Sequence, residues 1–118
     1  MEVKTFTVYS GTEILNRPNG WEAVPVTLDF TSVEDKVDGV KIVKAGTPLK
    51  FEQEGQHIKA TNAEGEAAGG ILKEDVFESR PIGTALKKAY INKKRAEEHS
   101  GVTLDDTVLG KLPMIVVE

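Results

Sequence analysis

Seven residues, Val24 to Phe30, read "VPVTLDF" and alternate without a break: Val24, Val26, Leu28 and Phe30 are apolar, and Pro25, Thr27 and Asp29 separate them. Successive side chains of a strand point to opposite faces, so this pattern predicts a half-buried β-strand with one apolar face. Pro25 has no N–H to give to a ladder, which places this strand at a sheet edge or puts Pro25 near its start.

The rest of the chain consists of similar short pieces separated by glycine and proline. Val3, Phe6 and Val8 alternate weakly before "NRPNG", a turn in which Asn19 and Gly20 tolerate positive φ. "TSVEDKVDG" reads as a turn or a short helix. In "VKIVKAGTPL", Val40 and Ile42 predict a short strand and Ala45-Gly46 a tight bend, and Pro48 fixes the chain as it leaves. "KFEQEGQHIKA" predicts a hairpin, with Phe51 and Ile58 flanking a turn at Glu54-Gly55. A glycine-rich run leads into Ile71-Leu72, with Gly69-Gly70 as a bend, and "RPIGT" marks a turn before Leu86 to Ile91.

Helix signals are confined to the last third. Asn92 is the expected cap of "KKRAEEHSG", with Gly101 as its stop. Bases lead and acids follow in that segment, against the helix dipole, so the helix should be short and held by packing. Thr103 and Asp106 resemble a capping box for "LDDTVLGK", stopped by Pro113. "MIVVE" closes the chain as a continuous apolar strand, expected to be buried on both faces. The sum is a mainly β fold (α+β with β dominant), barrel-like, with one or two short helices near the C-terminus. Within a single domain, residues 1–39 form an N-terminal arm and strand region, expected to be flexible over 1–20, and residues 40–118 a β-rich core.

At 118 residues the chain has room for one modest core. It contains no cysteine, which rules out disulfides, thiolate nucleophiles and cysteine metal sites, and fits folding in a cytoplasm. The net charge is −4, and residues 1–59 carry 7 bases and 9 acids against 8 and 10 in residues 60–118. Neither half is basic, so no nucleic-acid partner is expected. No apolar run approaches the roughly 20 residues that span a bilayer, and the N-terminus does not read as a secretory leader. Lys87, Lys88, Lys93, Lys94 and Arg95 follow one another without an acid between them. They read as a solvated strand end and helix surface, or as a docking patch for an acidic protein.

No arrangement of residues calls for catalysis, a cofactor or a metal. Gly65 and Gly70 have the spacing that opens a phosphate-binding loop, but Ile71 and Leu72 occupy the positions of its lysine and hydroxyl. Glu64 and Glu66 would repel an anion there. His57 and His99 lie in no metal-binding spacing. The doublets Glu74-Asp75, Glu97-Glu98 and Asp105-Asp106 point in diverging directions, as adjacent residues do, and so form no acid–base pair. Ser10, Ser32, Ser79 and Ser100 lie in no nucleophile elbow.

One ordered set of segments, "VKIVKAGTPL", "GGILKEDV", "RPIGTALKKAYIN" and "LPMIVVE", resembles the head decoration (capsid-stabilising) proteins of tailed bacteriophages, the lambda type among them. The matching positions are Ala45, Gly46, Thr47 and Leu49, then Ala68, Gly70, Ile71 and Leu72 with Gly69 beside them, and finally Leu112 to Val117. The resemblance covers about residues 40–118. It implies a small β-tadpole-like domain that assembles as a homotrimer on the virion exterior, after synthesis in the bacterial host cytoplasm. There it would bridge subunits of the phage major capsid protein and stabilise the expanded head. It implies, too, an N-terminal segment that adds a strand to capsid elements, for which Lys4, Thr5, Phe6, Thr7, Val8 and Tyr9 are the candidates. The residues 1–39 are longer than the lambda-type arm and hold the "VPVTLDF" strand, which leaves a different docking mode or a monomer open. The residues alone leave room for a second class of function, a β-clip-like binding module for a small ligand or peptide.

Overall fold

The computed structural model describes residues 13–54, 57–62 and 68–118. Nine strands and two helices follow in chain order: β1 (Glu22–Leu28), β2 (Lys36–Val37), β3 (Val40–Val43), β4 (Pro48–Glu54), β5 (His57–Asn62), β6 (Gly70–Leu72), β7 (Val76–Phe77), β8 (Ile82–Ile91), α1 (Lys93–Ser100), α2 (Asp106–Leu109) and β9 (Ile115–Val117). The fold is mainly β. Strand makes up 44% and helix 12% of the described residues, and both helices lie near the C-terminus.

A six-stranded sheet runs β1-β5-β4-β6-β8-β9, and β1 pairs again with β8. That last pairing closes β1, β5, β4, β6 and β8 into a five-stranded barrel. The β1–β5 contact is parallel and limited to Thr27 and Leu28, whereas β1 and β8 run antiparallel along Glu22–Thr27. The "VPVTLDF" expectation holds: Val26, Leu28 and Phe30 are buried and Pro25 and Thr27 exposed. Pro25 faces Thr84, whose N–H goes to Glu74 Oε2 and whose carbonyl accepts from the Lys73 N–H. Pro25 therefore costs the β1–β8 ladder no bond, and its other side has no strand partner. The strand expected within residues 1–39 is thus a stave of the barrel itself.

β6 and β8 divide two hydrophobic cores. Ile71 pairs with Leu86 and Leu72 with Ala85. Ile71 and Leu86 face a core completed by Ile14, Ile91, Ala96, Leu104 and Ile115, which lies under the two helices. Leu72 and Ala85 face the barrel core, with Val26, Leu28, Leu49, Ala60 and Val76. At these paired positions both strands are apolar on both faces for this reason. A smaller sheet, β2-β3-β7, packs on the barrel side through Val43 and Val76.

Several expectations need correction. "TSVEDKVDG" is neither a plain turn nor a helix: β2 and β3 form a hairpin around Asp38-Gly39, with φ of 53° and 82°. Positive φ at both central residues defines the tight turn whose twist matches paired strands, and Asp-Gly is its sequence signal. β4 continues through Glu54, which pairs with His57 as the expected hairpin requires, and the turn expected at Glu54-Gly55 runs into residues 55–56, which lie outside the described residues. "RPIGT" opens on the expected turn, the Arg80 N–H donating to the Phe77 carbonyl and the Ile82 N–H to the Arg80 carbonyl, but the turn is over sooner than expected, because β8 already begins at Ile82. A Cβ on Gly83 would lie 2.7 Å from Val76 Cγ2, so this glycine admits β7 onto the barrel instead of bending the chain.

Asn92 caps α1 as expected, its side chain accepting from the Arg95 N–H, and Gly101 ends the helix with φ of 78°. Asp105, not Thr103, caps α2, accepting from the N–H groups of Thr107 and Val108. Leu104 is fully buried and its N–H is held by Glu97, which delays the helix start past the expected box. Gly110 follows the end of α2, ahead of Pro113. β9 is not buried on both faces. Among the described residues it pairs in parallel with β8 on one side only, with Ile115 buried but Val116 43% and Met114 54% exposed.

Gly69 and Gly70 have no positive φ, so they are not a bend. A Cβ on Gly70 would lie 2.9 Å from both the Leu86 carbonyl oxygen and the Phe51 ring, whereas one on Gly69 would meet only that ring closely, at 3.1 Å. A ring can shift, but a backbone oxygen in a paired strand cannot. Gly70→Ala is therefore expected to cost about 1–3 kcal/mol and Gly69→Ala clearly less. Urea midpoints at unchanged m-value would measure the order, and equal costs would refute it.

Candidate functional site

The residues of the "AGT-x-L" and "A-x-GIL" segments come together at one joint, whereas Ile115 to Val117 pair with β8. Pro48 pairs with Ile71 and Leu49 with Gly70. The Gly69 N–H donates to the Leu49 carbonyl at 2.6 Å, Leu72 to Thr47 at 3.0 Å, and Gly46 to Leu72 at 2.9 Å. The bend itself is tied by the Thr47 hydroxyl, which donates to the Lys44 carbonyl at 2.7 Å. Gly46 has φ of 95°, and a Cβ there would lie 2.8 Å from the Ala96 carbonyl oxygen of α1. Only glycine admits both the backbone angle and the helix.

A carboxylate locks this joint from the side. Asp75 Oδ1 accepts from the buried Ala45 N–H at 2.9 Å and lies 2.7 Å from His99 Nε2. His99 stands one turn beyond Ala96, so both reach the joint from one face of α1. His99, which lies in no metal-binding spacing, thus binds helix to barrel. His57 opens β5 and pairs with Glu54 in the ladder.

The other carboxylates are separated in the same way. Glu74 holds the Thr84 N–H at 3.0 Å. Glu97 accepts from the Leu104 N–H at 2.7 Å and pairs with Lys93, and these contacts, the N–H first, hold its carboxyl below the usual range. Glu118 is held low by Asn16 first and by Arg17 with it. The basic run divides as well. Lys87 lies over the Phe51 ring on β8, while Lys93 and Arg95 on α1 bind Glu97 and the Glu13 carbonyl. Among the described residues no group of three histidines or carboxylates gathers as metal ligands would.

Two surface features remain. A cleft of about 600 Å³ at one end of the barrel is lined by Asp29, Phe30, Lys41, Lys59, Glu78 and Pro81 among others. Asp29 accepts from the Thr31 hydroxyl at 2.6 Å and N–H at 2.8 Å and pairs with Lys59 at 3.2 Å. The Thr31 hydroxyl, then its N–H, then Lys59 lower the Asp29 pKa to about 2. The second feature is the outer edge of β9, with Met114 and Val116 exposed beside it. The candidate capsid-binding residues Lys4, Thr5, Phe6, Thr7, Val8 and Tyr9 lie outside the described residues.

Sequence reasoning missed Asp75 because its partners lie 30 and 24 residues away, which no local pattern encodes. It missed the Asp29 cluster although Asp-x-Thr is a local signal, the side chain folding back onto the N–H two residues on. It missed the β9 edge because an apolar run does not say how many neighbours a strand has.

Asp75→Ala should cost about 1–3 kcal/mol, since it strands the buried Ala45 N–H, whereas Asp75→Asn, which keeps an acceptor, should cost less than half of that. Equal losses in denaturant melts would remove the Ala45 bond as the cause. For Asp29 the folded pKa, about 2, lies below the ordinary 3.8. Its stabilisation is therefore complete above the unfolded value and is lost as pH falls from about 4 through about 2. Asp29→Asn should flatten the fall in melting temperature across that window, and an unchanged acid profile would contradict this.

Comparison of the chain with protein-family models and with curated proteins finds no match.

Proposed function

We propose that this protein is a structural component of a tailed-phage (or prophage) particle, binding the outer surface of the expanded head and stabilising it by bridging major capsid subunits. One observation carries this reading. The "AGT-x-L" and "A-x-GIL" segments are not two unrelated short motifs but the two halves of one paired joint, through Pro48–Ile71, Leu49–Gly70 and the Gly46–Leu72 bond. A resemblance concentrated on one joint of the core is a resemblance of fold, which is what a cementing protein shares with its relatives.

The rest of the molecule suits that role. A cementing protein needs a stiff body and exposed edges, and it needs no reactive group. The closed barrel supplies stiffness, and β9 supplies an edge flanked by exposed apolar side chains. Many copies on one shell turn a modest contact energy into a large lattice stabilisation. In this reading the protein acts as a homotrimer, and the segment from Lys4 to Tyr9 adds a strand to the capsid through main-chain hydrogen bonds. No cofactor, membrane or nucleic acid enters it.

A second reading is favoured by the cleft at Asp29, Lys41 and Lys59, whose size suits a small ligand or a peptide. It predicts a monomer that melts higher with ligand and ignores capsids. The two separate in one set of measurements. Purified protein should co-sediment with expanded heads of its own phage and raise their thermal stability, and light scattering should give the mass of a trimer. Deletion of residues 1–12 should abolish head binding while leaving the barrel folded. A monomer that stays in the supernatant would defeat the capsid reading.

A further inference from the structure

Asn19-Gly20 is the one Asn-Gly pair in the chain. It lies in an exposed bend between Leu15 and β1, and Gly20 has φ of 81° with open space where a side chain would be. Among the described residues, neither the Asn19 side chain nor the Gly20 N–H is engaged in a hydrogen bond. The bend is anchored at both ends. Arg17 pairs with Glu118 at 2.6 Å, and Glu22 pairs with Lys88 where β1 begins. Between those anchors the backbone can rearrange without opening either core.

We propose that Asn19 is a site of spontaneous covalent modification, in which the folded protein converts this asparagine to aspartate and isoaspartate. The Gly20 amide nitrogen gives up its proton to solvent base and attacks Asn19 Cγ. A new C–N bond forms, and the side-chain nitrogen leaves as ammonia, closing a five-membered imide. Water then opens the imide at one of its two carbonyl carbons. Breaking the new Cγ–N bond gives aspartate, and breaking the original backbone C–N bond gives isoaspartate, with the chain rerouted through the side chain. One water enters, one ammonia leaves, and no oxidant or reductant is needed.

Glycine is the residue that permits this attack, because it neither shields the nitrogen nor restricts the backbone angles needed. The other asparagines are held. Asn16 donates to Glu118 Oε1 at 2.8 Å and is followed by Arg17. Asn92 caps α1 through the Arg95 N–H at 2.9 Å and is followed by Lys93. Asn62 lies in β5, paired with Leu49. Asp38-Gly39, chemically similar, is fixed in the two-residue turn between β2 and β3.

The product differs where it matters for a surface. Each conversion adds one negative charge to a chain of net charge −4. The isoaspartate form also adds a methylene to the backbone two residues before Trp21. The Trp21 ring is exposed, carries the Lys73 ammonium at 5.1 Å, and borders a small cavity with Leu15 and Pro18. The new carboxylate thus arises beside one of the few large apolar groups on the described surface. None of this depends on the capsid reading.

The test is to hold the native full-length chain in mildly alkaline buffer and follow each asparagine by peptide mapping, with isoaspartate counted by methyl uptake from an isoaspartyl methyltransferase. Asn19 should convert first. Because an exposed bend opens at about zero free energy, its rate in native protein and in urea should agree within about threefold. Asn16 and Asn92 should convert more slowly native than unfolded. Asn19→Gln should abolish the methyl uptake, and Gly20→Ala should slow it. Native Asn19 that stays intact while the unfolded chain converts would overturn the proposal, as would conversion of Asn16, Asn62 or Asn92 at the same rate.

Discussion

The pairing of β6 with β8 is the constraint on which the rest of the structure depends. Ile71 against Leu86 and Leu72 against Ala85 form a wall two residues deep, with one pair turned to each core. Three residues of β6 therefore serve both the barrel interior and the layer under the helices. A register slip of one residue would exchange the two faces and bring either Lys73 or Gly70 into a place that a buried aliphatic side chain fills. A short strand that is buried on both faces is for this reason held more strictly than a long amphipathic one.

Close approach follows from that wall. Gly70 lets the Phe51 ring and the Leu86 carbonyl meet β6, Gly83 lets Val76 meet β8, and Gly46 lets α1 rest on the bend beside it. These glycines set distances between backbones, and of the three only Gly46 also needs a positive φ. Around them, the polar groups that would be candidates for chemistry are engaged in holding main-chain N–H groups: Asp75 with Ala45, Glu74 with Thr84, and Glu97 with Leu104. A carboxylate that satisfies a backbone donor stabilises the fold and is thereby withdrawn from acid–base work.

This arrangement makes the joint between "AGT-x-L" and "A-x-GIL" a fold signature and moves the search for function to the surface. The surface offers an exposed strand edge at β9, a mixed-charge cleft at Asp29, and an exposed tryptophan beside a loop able to modify itself. Strand edges and apolar patches recruit other chains, whereas the cleft pairs its own charges, Asp29 with Lys59. That difference is why we propose assembly in preference to ligand capture.

Local chemistry was legible in the sequence wherever a residue acts on its near neighbours. The alternation of Val24 to Phe30 placed a strand, Asn92 and Gly101 bounded a helix, and the absence of cysteine closed off whole classes of site. Asp38-Gly39 was equally legible and went unread. What only the tertiary structure decided involves partners distant in the chain. "MIVVE" reads the same whether its strand has one neighbour or two, and among the described residues the structure gives it one. "RPIGT" reads as a turn throughout, whereas its second half already belongs to β8, with Val76 seated against Gly83. Asp75 has no meaning until Ala45 and His99 arrive from 30 and 24 residues away. Sequence determines backbone preference and the side chain's affinity for water, which are local properties. Burial on both faces, edge position and close approach belong to pairs of segments, and they exist only once the chain has closed the barrel.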